Sequence, residues 1–227
     1  NGRLASVVAV PANAPQQPVA LSRVAAAVFQ LAATRTRHRI EAMGGSLAAP
    51  DAQALAIAAA ENRAALVALA LYASSQPMSR LVPAARDWPQ PLPRTVLAGG
   101  REDHPQHLLV SAAIAAEGGG RLADAIGVLK EVADRAGGGS GFSYDDLAAD
   151  RAGTRLGERA VRDPIGLQRR LQAVSADSDL LPSMDGLPSF LDEARYRREI
   201  GGEGSARHAA LQRLIEDRVA ALPVLQP

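Results

Sequence analysis

Apolar residues recur every three to four positions along most of the chain, a spacing that predicts amphipathic helices. Over 22–42, Val24, Val28, Leu31 and Ala32 form one stripe, Ser22 stands where an N-cap belongs, and Gly44-Gly45 stops the run. The second half of that segment is basic (Arg35, Arg37, His38, Arg39), which suits a helix C-terminus. A helix over 50–72, opened by Pro50-Asp51, is apolar nearly all round (Leu55, Ile57, Leu66, Val67, Leu69, Leu71), the mark of a buried central helix. Glu61 and Arg63 interrupt it. They fit either one exposed edge or a buried carboxylate that needs a partner to offset desolvation.

The pattern breaks over 77–105, where six prolines exclude regular helix and Trp88 is the residue expected to pin the segment to the core. Helical spacing returns over 106–117, 122–135, 143–161, 163–174, 189–201 and 205–221. The stops are glycine runs or Pro223, and the starts are Ser143 with Asp146, Asp163-Pro164, Ser189 with Asp192, and Ser205. No stretch alternates as a strand does, and no repeat of fixed period occurs. The expected fold is all-α: a single multi-helix domain of about seven or eight helices over 21–227, with an extended arm over 1–20 and the Pro-rich loop of 77–105 wrapped around it. Its polar core is a glycine-linked trio spanning 106–161, followed by C-terminal helices over 163–222.

Composition narrows the function classes. The net charge of +1 gives no general case for a nucleic-acid backbone, and 3% aromatic residues supply little stacking surface. Arginines sit beside acids, as in "RYRRE" at 195–199, which reads as an ion-paired solvated face. The absence of cysteine removes disulfides, thiolate nucleophiles and cysteine metal sites. No transmembrane segment is expected. The most apolar stretch, 52–72, carries Glu61, Asn62 and Arg63, and 104–117 is too short. A chain that opens on Asn1 is compatible with a cleaved export signal or with trimming upstream.

The chemistry concentrates around "GGGSGFSYDDLAADRAG", 137–153. Ala149, Gly153 and Gly157 form a small-residue stripe, matched by Ala112 and Ala116, so helices can approach closely there. His107 and Ser111 share a face, as do Asp146, Asp150 and Thr154, with Arg151 beside them; Lys130 pairs with Asp134 and Glu131 with Arg135 at four-residue spacing. If His107, Glu131, Asp146 and Asp150 converge, the group could fix helix register, run acid–base chemistry or hold a divalent metal. Lys130, Asp134, Ser140, Ser143 and Arg151 are the accompanying binding candidates. There is no HExxH, EF-hand, Walker or GxSxG pattern, so no cofactor is predicted and a metal identity has no motif behind it. His104, before Pro105, is expected in the loop; His38 and His208, on charged helices, are expected to be exposed.

His107 opening an Ala-rich helix, then Gly-x-x-Lys-Glu-x-x-Asp at 127–134, then Gly-Ser-Gly-Phe-Ser with Asp146, Ala149-Asp150 and Gly153, resembles the YfiM-like group of small bacterial envelope lipoproteins of uncharacterised function. The resemblance covers residues 107–153 and implies export to the bacterial envelope or periplasm, without implying a reaction. The rest of this longer chain has no counterpart in that group, although 187–223 looks like a companion tail of longer proteins of the same kind. The leading expectation is a non-enzymatic helical module that meets an envelope protein or polymer. The rival is a hydrolase of cell-wall or other envelope polymers, with Glu131 or Asp150 as acid/base and His107 assisting. An enzyme should set these groups around an open cleft; a structural network should bury them with their hydrogen bonds made. Oligomeric state is not legible, and a cytoplasmic location is also compatible with the composition.

Overall fold

Local capping chemistry sets most of the helix starts. In the computed structural model, which describes residues 17–117 and 141–226, Asp51 accepts from Ala54 N, Asp163 from Gly166 N, Asp192 from Arg195 N and Ser205 from His208 N. These caps open α2 (Ala52–Ala73), α5 (Pro164–Gln172), α6 (Glu193–Glu199) and α7 (Ala206–Ala220). With α1 (Leu21–Ala42), α3 (Asp103–Glu117) and α4 (Tyr144–Arg162) they make seven α-helices among the described residues. Short 3-10 turns occur at Met78–Arg80, Pro83–Asp87, Asp177–Asp179 and Pro223–Leu225. The fold is all-α apart from two-residue strands β1 (Val19–Ala20) and β2 (Val96–Leu97), paired in parallel with Val19 opposite Val96.

Several starts differ from the sequence expectation. Ser22 is not a cap: α1 begins at Leu21 after Ala20, and Ser22 N donates to Asp177 Oδ1 at 2.8 Å. Ser143 holds the N-cap position of α4, but its Oγ accepts from Phe190 N at 3.0 Å, a tertiary bond in place of a local one. The sixth helix starts at Glu193, so Ser189 lies outside it. The third starts at Asp103, three residues early, and takes in His104 and Pro105. Proline is tolerated there because the first-turn N–H groups have no intrahelical acceptor.

α2 is the central helix, packed against α1, α3, α4 and α5. Ala58, Leu66 and Ala70 are completely buried. It is also long and apolar enough by composition to cross a membrane, but 67% of that window is buried inside the fold. Glu61 does not lie on an exposed edge. It is buried, and α1 supplies its partners: Arg35 Nε at 2.8 Å and Arg39 NH1 at 2.9 Å. Arg63, half-buried, donates to Ala116 O of α3. Next to Glu61, Asn62 is sealed from solvent. Its amide donates to Ala160 O and Pro164 O and accepts from Gln168 Nε2, which also donates to Thr36 Oγ1. Four helices are thereby cross-bonded through one neutral network.

The Pro-rich segment is held differently from expectation. Trp88 is 41% exposed and does not pin it. Tyr72 Oη donates to Leu92 O at 2.9 Å, Gln90 Nε2 donates to Ala85 O and Trp88 O, and buried Ala85 and Val96 face the core.

α3 and α4 form the most extensive helix pair. A side chain at Gly153 would stand 2.1 Å from Leu108 O, and one at Gly157 would stand 2.2 Å from Ala112 O, so only glycine permits this backbone approach. The partners 108 with 153 and 112 with 157 advance together, so the two helices run parallel.

Candidate functional site

The polar seam along α3 and α4 follows from that close, parallel packing. Positions 104, 107 and 111 lie on one face of α3, and 145, 146 and 150 line the facing edge of α4. At its head, His104 Nε2 lies 3.2 Å from Asp145 Oδ2, and Arg101 NH1 lies 3.3 Å from the same oxygen. Arg101 also grips Asp103 through two nitrogens, with Nε donating to Oδ1 at 2.9 Å. Its guanidinium stacks 4.9 Å over the ring of Phe190. One turn further on, His107 Nδ1 is 3.2 Å from Asp150 Oδ1, which also accepts from Ser111 Oγ at 2.7 Å. His107 Nε2 stands 3.8 Å from Asp146 Oδ2.

Three of the four residues picked from the sequence as acid–base candidates, His107, Asp146 and Asp150, therefore meet. The fourth, Glu131, lies outside the described residues, as do Lys130, Asp134 and Ser140. Two other candidates turn away from the seam. Arg151 pairs with Glu216 of α7 at 3.4 Å, and Ser143 is engaged by Phe190 as above. Thr154 Oγ1 donates to Asp150 O, a bond along its own helix.

The residues that sequence reasoning missed are Arg101, Asp103, His104 and Asp145. His104 is buried in α3 and does not lie in a loop. The overlooked signal was "DHPQH": an acid in a first turn, proline tolerated there, and two histidines three apart on one helical face. His208, expected to be exposed, is buried as well. The hydroxyls of Tyr144 and Tyr196 lie 2.7 and 3.1 Å from its Nδ1. That cluster ties the first residue of α4 to α6 and α7 and so fixes where Asp145 and Asp146 sit. His38 is exposed.

Charge and burial give the acids different characters. Burial alone would push the Asp145 carboxyl up, but hydrogen bonds from His104, Ser189 and the Asp146 N–H hold it below the usual carboxylate range. Burial raises Asp146; the pull of His107 opposes this, and the charges of Asp145 and Asp103 add to it. Its Oδ1 is buried with no hydrogen-bond partner among the described residues. Burial disfavours the His107 imidazolium, yet Asp150, Asp146 and Asp103 outweigh it and raise the group. Asp103, His104 and Asp146 each present a ligand atom within 4.8 Å of the others.

The seam's head opens on a cavity of about 700 Å³ whose wall includes Arg101, His104, Asp145, Asp177, Met184 and Arg218. His107, Asp146 and Asp150 do not line it. Comparisons of the chain with protein-family models, curated proteins and solved structures find no match.

Proposed function

We propose that the protein is a non-enzymatic helical module of the bacterial envelope, in which the seam orders the core and the outer helix faces meet an envelope protein or polymer. The observation that carries this reading is the pairing at the seam's head. His104 and Asp145, with side chains only 7% and 4% exposed, bond each other across the helix pair, and Arg101 closes the other side of the carboxylate. Groups so buried and so paired suit a register-setting role, because either one left alone is costly. The envelope location draws on the likeness of 107–153 to the YfiM-like lipoproteins. Asp145→Ala removes the partner of both Arg101 and His104, and we expect it to destabilise the fold by about 2–4 kcal/mol in urea unfolding. An unchanged unfolding midpoint would refute the architectural role.

The cavity favours a second reading, a hydrolase of envelope polymers. His104 stands on the cavity wall with Asp145 behind it, the arrangement that orients an imidazole for proton transfer. In that case His104→Gln stays folded and loses turnover of isolated cell-wall fragments. Equal product release by the variant and the parent chain would exclude His104 as the base.

A further inference from the structure

We propose that Asp103, His104 and Asp146 form a binding site for a divalent first-row transition cation of the Zn²⁺ or Mn²⁺ class at the head of the α3–α4 seam. Ligands on opposite sides of one such ion lie about 4–5 Å apart, twice a bond of roughly 2.0–2.4 Å. The three ligand atoms, all within 4.8 Å of one another, fit that span. They come from two helices whose spacing is fixed by Gly153 and Gly157, so the set is held by backbone packing and does not depend on flexible loops.

Two further observations point to a cation. Asp146 Oδ1 is buried and lacks a donor among the described residues, although buried acceptors are almost always satisfied. The charges also fail to balance. Asp103, Asp145, Asp146 and Asp150 face one guanidinium, Arg101, and two imidazoles, His104 and His107. Among the described residues three negative charges are in excess with both rings neutral, and two with His107 protonated, so a divalent ion offsets most or all of them. Asp145 completes the pattern. In the tautomer whose Nε2–H donates to Asp145 Oδ2, the Nδ1 of His104 keeps a lone pair, the outer-shell arrangement that fixes a ligating histidine. Arg101 Nε and the His104 N–H fill Asp103 Oδ1, but Oδ2 accepts only the second guanidinium nitrogen and keeps a lone pair for an ion. One imidazole with two carboxylates selects borderline transition ions over Mg²⁺ and Ca²⁺, which prefer oxygen alone.

Neither reading under the preceding heading requires an ion. The test reads binding, so it can fail while those readings stand. Zn²⁺ is titrated calorimetrically into the full chain after EDTA treatment and dialysis. We expect one saturable equivalent and at least about tenfold weaker binding of Ca²⁺. Asp146→Asn and His104→Gln should each weaken Zn²⁺ at least tenfold, and Asp145→Asn about tenfold through the ring it orients. Glu216→Gln, an exposed acid on α7, should bind as the parent does. Absence of saturable binding, equal Ca²⁺ affinity, or parental affinity in both ligand variants overturns the site. If those variants do not fold, visible absorption of Co²⁺ added to the parent chain decides. Ligand-field bands distinct from the aqueous ion support the site, and the aqueous spectrum overturns it.

Discussion

The network around Asn62 and the seam between α3 and α4 are both buried polar clusters that bond helices together, yet they differ in kind. The first is built of amides and a hydroxyl. It carries no charge; Asn62 spends its donors on Ala160 O and Pro164 O, and Gln168 on Thr36 Oγ1 and Asn62 Oδ1. The second is charged and carries more acids than cations. It is partly open at Asp150, whose side chain is 40% exposed, and among the described residues it leaves Asp146 Oδ1 without a donor. A neutral satisfied network has nothing left to offer a ligand. A charged and incompletely satisfied one does, because it has a free acceptor and an uncompensated field. That difference leaves the Asn62 network with register alone, and makes the seam a candidate site as well as a register-setting element.

The strongest way to break the comparison is to separate the helices that make the seam. Gly153→Val puts a side chain onto Leu108 O, and we expect a loss above about 4 kcal/mol, seen as a chain without a cooperative melt. A soluble variant with parental melting would show that the close approach is not required. Next in size is Asn62→Ala. It strands two carbonyl oxygens and an amide in a region sealed from water, at a cost of about 3–5 kcal/mol by urea unfolding. Asp150→Ala should cost only about 1 kcal/mol, since the group is partly solvated even though both His107 and Ser111 bond to it. If the two losses prove equal, the seam is as architectural as the amide network.

The smallest effect runs in the opposite direction. Glu117, at the end of α3, is buried with Oε1 unpartnered among the described residues, and burial raises its carboxyl despite the nearby Arg63. A carboxyl raised by folding costs stability once ionised, so the penalty develops as pH climbs from the ordinary carboxylate value through the raised one. Glu117→Gln should therefore raise the melting temperature by a few degrees at pH 7 and lose that advantage in acid. A lower melting temperature at pH 7 would show that pairing with Arg63 outweighs the desolvation.

Much of the fold was legible because its causes are local. Asp51, Asp163 and Ser205 cap within their own first turns, and the stripe of Ala149, Gly153 and Gly157 shows close packing at four-residue spacing. The facing sets His107–Ser111 and Asp146–Asp150 were visible for the same reason. Other features depend on residues far along the chain. Glu61 looked solvent-facing because its partners Arg35 and Arg39 lie on a different helix, although their own spacing of four offered a hint. His208 looked exposed because the tyrosines that bury it come from α4 and α6. Asp145, an acid in a first helical turn, is explained locally by its own helix dipole, and only the fold brings His104 to it from 41 positions away.

The sequence by itself determined an all-α chain, most of its helix starts, the Pro-rich interruption and the acids and histidine able to face one another, because periodicity and capping act over a few residues. Tertiary structure alone decided that His104, Asp145 and Arg101 join that group, that Asp146 Oδ1 has no partner among the described residues, and that a cavity opens beside His104 and Asp145. Those outcomes depend on which distant groups share a small volume, and desolvation and charge are set by that volume and not by neighbours in the chain.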